Sequence, residues 1–317
     1  MNTKIIFDLI ILLLFISLSF SCEKKDEPIP PVVTTPKWAK QTSGTSDVLL
    51  GVSFPTTITG YICGINGKVL KTTNGGAAWS PLTTGVTGFV RDISFSAENI
   101  GTAVGESGLI IRTINGSAWT AQTSGTTQHL VHVHFINDNN GMTAGQGGVL
   151  LKTVNGGTNW TKLTSGTTVE LAGLFMVNIN TAFAVGFSGT ILKTTDGGTT
   201  WTAQTSGVTN DLRSVYFTDV NNGWVVGIGG TVLKTTNGGT TWQKITNAPT
   251  TDLYSISFAD ASNGILSGTN KIYVTTDGGA TWTDESPSFS GDIYGTTSNG
   301  FANSWALGQN GVIFKRN

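Results

Sequence analysis

Seven tryptophans, Trp38, Trp79, Trp119, Trp160, Trp201, Trp242 and Trp282, stand 40 or 41 residues apart from one end of the chain to the other. A period in the forties made of short apolar runs belongs to a propeller blade or a solenoid coil, and it makes the repeat, not the domain, the unit of folding. Seven such units fill residues 37–317 completely. Charged residues make up 12 % of the chain, about half the usual share, while glycine reaches 42 residues. Few charges with much Thr, Gly and Val suit many short strands joined by tight turns.

One unit, read from Trp201, shows the pattern. Trp201–Ser206 is a short strand, and Leu212–Phe217 is a second run rich in β-branched and aromatic residues. Asn221-Asn222-Gly223 turns into Trp224–Gly227, and Gly229-Gly230 makes a hairpin into Thr231–Thr236. Four antiparallel strands with such short connections cannot make the crossovers of a parallel sheet. Across the copies a glycine ends the third run every time (Gly64, Gly105, Gly145, Gly186, Gly227, Gly268, Gly308), where a close backbone approach is expected. A hairpin glycine recurs in six copies; the sixth copy has Lys271 there, with Asn270 expected to carry the left-handed geometry.

The copies do not close in chain order. The last ends at Val312–Asn317 without its turn and tryptophan strand, whereas the first begins with a surplus strip, 38–43. Pairing strand 38–43 with 312–315 completes an all-β, seven-bladed β-propeller of four antiparallel strands per blade, with no open edge. The tryptophan-strand and hairpin loops then share one face, and the Asn/Asp-Gly turns share the other, where Trp38 begins its strand. A β-helix with long coils is the alternative, disfavoured by the frequent hairpins.

The beginning of the chain reads as a targeting segment: Lys4, then an apolar run from Leu9 to Phe20, too short for a good membrane span. Leu18-Ser19-Phe20-Ser21-Cys22 resembles a bacterial lipoprotein signal. That resemblance implies cleavage after residue 21, lipidation of Cys22, a tether over 22–36, and anchorage in the bacterial cell envelope, at the outer membrane. Cys63 lies mid-strand among apolar neighbours and reads as an inert core thiol. A net charge of −1 offers no general attraction to nucleic acid.

The turn Thr195-Asp196-Gly197-Gly198-Thr199-Thr200-Trp201, repeated at Asn237 and Asp277 and with Asn at 74, 115 and 155, matches the Asp-box, or BNR, pattern. Spaced by one blade and flanked by Val-Leu-Lys-Thr-Thr runs, it resembles the photosystem II assembly and stability factor family of propellers. The resemblance covers residues 38–317 and implies a non-enzymatic scaffold that grips a protein segment through an arginine-rich surface. Six boxes at one structural place point to self-capping turns instead of active sites.

Candidate binding residues come from reading the copies in register. The position before each inner strand is Val48, Phe89, His129, Glu170, Asp211, Asp252 and Asp292, an acidic crescent opposite an apolar one, suited to a cationic peptide or ion. Arg91 and Arg213 occupy equivalent places on inner strands. His132 and His134, two apart on one strand, are weak metal candidates without a third local ligand, so no metal or cofactor is expected. Sialidases share the Asp-box propeller, but their chemistry needs three convergent arginines and a Tyr–Glu pair, and no Glu matches Tyr216, Tyr254 or Tyr294. The expectation is therefore a non-enzymatic, monomeric binding scaffold of the cell envelope taking a protein or peptide at the propeller face. A glycan-binding or sialidase-like hydrolase is the alternative.

Overall fold

The computed structural model describes residues 37–317; the signal segment, Cys22 and the tether fall outside the described residues. Seven four-stranded antiparallel sheets form seven blades, and the described residues hold no helix beyond single hairpin turns. The inner strands are Leu49–Ser53, Val90–Ala97, Leu130–Phe135, Leu171–Met176, Leu212–Phe217, Leu253–Phe258 and Ile293–Ser298, which open blades 1 to 7 in that order. Six blades are continuous in sequence. The seventh takes Trp38–Gln41 as its outer strand, in register from Trp38 against Arg316 to Gln41 against Ile313. The expected closure is present, with slightly different strand ends. The buried Glu285 carboxylate sits beside it, holding Arg316 at 3.2 Å and Lys37 at 2.9 Å, so one acid from blade 6 binds both chain ends.

No blade carries a core of its own. The buried apolar residues fall into seven clusters, each shared between two adjacent blades, including one between blades 7 and 1 that joins Leu49, Phe54 and Ile62 to Trp305 and Ile313. Five inner strands carry a phenylalanine at or next to their end, and its ring lies against a glycine of the second strand, as in Phe217 opposite Gly223. A Cβ at Gly223 would lie 2.5 Å from the Phe217 ring, so the missing side chain is the space in which the ring lies. Blade 4 keeps the complement as Met176 opposite Ala182, and blade 7 replaces it with Ser298 hydrogen-bonded to Ser304 at 2.9 Å.

From that slot the phenylalanine reaches the preceding blade. Phe54 stacks on Trp305, Phe95 on Tyr61, Phe217 on Phe183 and Phe258 on Trp224, with centroids 3.4 to 4.3 Å apart. Five of the seven ruler tryptophans close the motif by presenting an edge to the phenylalanine of their own blade, as Trp79 does to Phe54 at 5.8 Å and 87°. The lysine of the third strand ties the same seam by donating to the box of the next blade: Lys152 to Gly197 O, Lys193 to Gly238 O and Lys234 to Gly278 O, at 2.6 to 2.7 Å. The Trp period therefore records the inter-blade contact, not the strand itself.

The glycine at the end of each second strand has the expected cause. A Cβ on Gly227 would sit 2.1 Å from the Asp211 carbonyl oxygen, which accepts the Ile228 N–H at 2.9 Å. The sixth hairpin departs from expectation in an instructive way. Asn270 is indeed left-handed (φ 57°), but so are its counterparts Asn66 and Asn310, so Asn270 is not a substitute for the hairpin glycine. The turn is one residue shorter: Gly268 pairs with Lys271, whereas Gly227 pairs with Thr231 beyond three loop residues. Lys271 begins a strand and needs no left-handed backbone.

The Asn/Asp boxes cap themselves. In the fourth, Asp196 Oδ1 accepts from Thr194 Oγ1 at 2.8 Å and from Thr200 N at 2.9 Å, while Thr194 Oγ1 accepts the Gly198 N–H. Hydrogen bonds from Thr200 hold the Asp196 carboxyl down to about 2.

Two substitutions separate the physical roles. Gly227→Ala should cost roughly 2–4 kcal/mol, because a carbonyl must move, whereas Gly207→Ala, left-handed with open space around its Cβ position, should cost only about 1–2 kcal/mol. Urea midpoints of the two variants test the difference. Glu285→Ala strands two cations at the closure and should cost roughly 3 kcal/mol, read in the same titration as an early loss of signal from the Trp38 strand.

Candidate functional site

The inner strands belong to different sheets, so their channel-side edges carry backbone groups with no ladder partner, and side chains must satisfy them. Ser53 Oγ accepts the Phe95 N–H, Ser94 Oγ accepts the Phe135 N–H, and His134 Nδ1 accepts the Met176 N–H at 3.2 Å. One turn higher, Asp92 Oδ2 accepts from Val133 N at 2.8 Å, and Ser255 Oγ accepts from Thr296 N at 3.1 Å. Across the closing seam Asn299 donates to Phe54 O. The polar column down each inner strand is the stitching of the ring.

This reassigns the histidines. His134 occupies the serine position of blades 1 and 2, packs on Phe175 at 4.6 Å, and spends Nδ1 on a backbone N–H. Burial, with a smaller contribution from His132, holds its pKa down to about 3, so it is a neutral acceptor. His132 Nδ1 lies 3.4 Å from the Asp92 carboxylate, an ion-pair distance without hydrogen-bond geometry. Burial pushes the Asp92 carboxyl above its usual range, and burial also drives the neighbouring Cys63 thiol well up. Among the described residues no three His, Cys, Asp or Glu side chains gather as a metal site would require.

The rim residues form latches between blades. Asp211 Oδ1 accepts from Ser188 N at 3.0 Å, Asp252 Oδ1 from Gly229 N at 2.8 Å, and His129 Nδ1 from Ser107 N at 3.0 Å, each donor being in the hairpin of the preceding blade. Asp292 instead accepts from Tyr294 OH and Gln309 Nε2 of its own blade. Glu170 is half-buried at the same level. Most of the crescent is therefore tied to turns, and the channel wall proper begins two residues further along, at the second residue of each inner strand.

That second residue was legible only by reading the copies as a column: Leu50, Arg91, Val131, Ala172, Arg213, Tyr254 and Tyr294 surround the mouth of a channel of about 380 Å³. Arg91 reaches Glu106 at 3.5 Å, and Arg213 lies over the Phe187 ring at 4.6 Å with Asp211 at 3.6 Å. The Nε atoms of both arginines are buried without a hydrogen-bond partner, while about a third of each side chain stays exposed. Tyr254 and Tyr294 face each other at 5.4 Å, and Gln309 donates to Tyr294 OH at 3.1 Å. Blades 2 and 5 thus bring fixed cations to the opening, and blades 6 and 7 bring the aromatic rings of Tyr254 and Tyr294. Tyr216 lies deeper, its hydroxyl committed to Phe258 O at 2.9 Å, and burial raises its pKa. Arg112 stands apart on a third strand, bound to Asp138 O, and Arg316 belongs to the closure.

Comparison with known proteins follows from this geometry. The family model described as photosynthesis system II assembly factor YCF48 matches residues 78–208 and 166–250, together more than half of the chain. No curated protein matches. Among solved structures, YCF48 bound to a D1 peptide is similar with a TM-score of 0.76 at 19 % identity, covering 90 % of this chain and 96 % of that one. YCF48 from Cyanidioschyzon merolae is similar with a TM-score of 0.75 at 19 % identity, over 89 % and 99 % of the two chains. The Niastella koreensis GH74 enzyme reaches a TM-score of 0.72 at 16 % identity over 88 % of this chain but 53 % of its own. These likenesses show a shared fold.

The histidine column makes a pH-dependent prediction. The unfolded chain protonates His134 near its ordinary 6.5, the folded chain only near 3. Between those values the unfolded state binds more protons, so stability falls as pH falls, by up to about 1.4 kcal/mol per unit. Asp92, with its raised carboxyl, works in the opposite sense above the usual carboxylate value. His134→Ser keeps the acceptor used in blades 1 and 2 and should remove roughly 1–2 kcal/mol of the loss between pH 6.5 and 5. Urea midpoints at the two pH values measure it.

Proposed function

We propose, from the premise that this chain belongs to the photosynthesis system II assembly factor YCF48 family, that it is a non-enzymatic scaffold binding a peptide or protein segment of the cell envelope. The segment docks on the hairpin face at the channel mouth. The observation that carries this reading is the pair Arg91 and Arg213, about one-third exposed, each with a buried unpaired Nε, set among Tyr254, Tyr294 and Phe187. Guanidinium groups already oriented by Glu106 and by an aromatic face lose little freedom on binding a carboxylate or a carbonyl. A similar propeller holding a D1 peptide supports a peptide as the occupant class.

The rest of the assignment extends the sequence reading. Cys22 carries lipid, the tether over 22–36 holds a monomeric ring at the membrane of a bacterial envelope, and His129, Glu170, Asp211, Asp252 and Asp292 frame the contact surface. Against glycoside cleavage, the channel wall holds one carboxylate, Asp92, buried and already hydrogen-bonded, where hydrolysis asks for two flanking the scissile bond.

The test is capture of envelope proteins by the ring with and without the double substitution Arg91→Ala and Arg213→Ala. Loss of two charge-assisted contacts should weaken the captured partner at least about tenfold, while Arg112→Ala should leave capture intact. Unchanged capture by the double variant, or turnover of sialosides or other surface glycans, would overturn the reading.

A further inference from the structure

Exposed large aliphatic side chains are confined, with a regularity the repeat does not require, to one face. Of the six exposed large hydrophobic residues among those described, five are Ile58, Ile114, Val154, Ile179 and Val220; the sixth, Phe89, is at the channel mouth. The five fall one per blade on blades 1 to 5. Ile114 and Val154 sit in the boxes of blades 2 and 3, where blades 1, 4, 5 and 6 carry Thr73, Thr195, Thr236 and Thr276. Ile58, Ile179 and Val220 sit in the turns between the first and second strands of blades 1, 4 and 5. Those turns and the boxes share a face, because the box glycine donates to the turn: Gly75 N to Ile58 O, Gly197 N to Asn180 O and Gly238 N to Asn221 O. Each residue is between 49 % and 75 % exposed. The tips of tight turns are ordinarily polar, and nothing in the box geometry asks for Ile or Val at these places, since Thr serves equally well in the other copies.

The same face receives the chain from its beginning. Trp38 pairs with Arg316, at the end of the last strand remote from the Gln309–Gly311 hairpin, so the described chain begins, at Lys37, on the box side. The residues that precede Lys37 include the apolar run from Leu9 to Phe20 and the candidate lipid-bearing Cys22. We infer that the box face lies on a lipid bilayer, the five aliphatic tips entering its interfacial layer as an arc while the hairpin face is presented outward. Scattered tips of this kind suit a fluid surface better than one complementary protein patch, because each blade contributes a single apolar group and no continuous groove. The arc sets the orientation of the ring; the N-terminal segment supplies the attachment. This goes beyond the proposed peptide binding, which is measured separately in solution, so either can fail without the other.

The experiment places a genetically encoded fluorescent side chain at position 114, 154 or 220, or at Thr209 on the opposite face, in the full chain. Each is reconstituted on vesicles of phosphatidylethanolamine and phosphatidylglycerol carrying doxyl-labelled lipid. Lipid quenching is expected at the first three positions and not at 209. Combining Ile114→Asp, Val154→Asp and Val220→Asp should lower the face-down population, read by a label at position 58, on the order of tenfold, with an unchanged melting temperature. Equal quenching on both faces, or none on the box face, would overturn the inference. So would labels shielded from aqueous iodide but untouched by lipid quencher, which would mean that a protein or a second copy covers the face.

Discussion

Everything in this ring rests on the fact that apolar surface is shared between blades and never enclosed within one. A four-stranded sheet of two- to eight-residue strands has two faces and no means of covering either by itself. Each face is covered only by the adjoining blade, at four seams through a phenylalanine laid over a glycine and stacked on its neighbour's ring. Seven blades around a channel leave no face bare, and a six- or eight-part chain of the same units would have to change every wedge. The clasp between Trp38–Gln41 and Ile313–Arg316 is thus a condition for the whole core.

The same requirement decides where chemistry is available. Positions along an inner strand that point to the neighbouring blade are consumed by unpaired backbone, which is why Ser53, Ser94, His134 and Asp92 look like a polar site and act as stitching. Of the rim acids, Asp211 and Asp252 are consumed in turn by hairpin N–H groups. What stays at the opening is the column at the mouth, Arg91, Arg213, Tyr254 and Tyr294, with each arginine held beside one carboxylate and about a third of its side chain exposed. A binding surface made of leftovers from a structural repeat can diverge blade by blade while the fold stays constant, and so a family likeness at 19 % identity carries the architecture and not the ligand.

How much of this was legible in the residues follows from what repeats. The blade count, the strand order, the closure and the turn glycines were readable because each recurs in six or seven copies, so the copies act as controls for one another. The Asn270 turn was misread for the complementary reason: a single shortened copy resembles a substitution until the pairing of Gly268 with Lys271 shows a deletion. His132 and His134 suggested metal chemistry because alternation puts both on one side of a strand, and sequence does not reveal that an orphan Met176 N–H waits there. The residues at the channel mouth were half visible: Arg91 and Arg213 by their register, but not Phe187 and Glu106, which come from hairpins on the neighbouring strand pair.

The seams are not alike, and the difference has a mechanical meaning. Between blades 6 and 7 the stacked rings give way to Ile265 and Ser298, and Val274, paired with Ile265, stands where the other third strands carry a lysine or arginine. That joint adds Glu285, Arg316 and Lys37 to its apolar cluster. A pull on the Trp38 strand is therefore delivered to a joint where a sheltered carboxylate, which dissolved salt screens only weakly, shares the load with packed side chains.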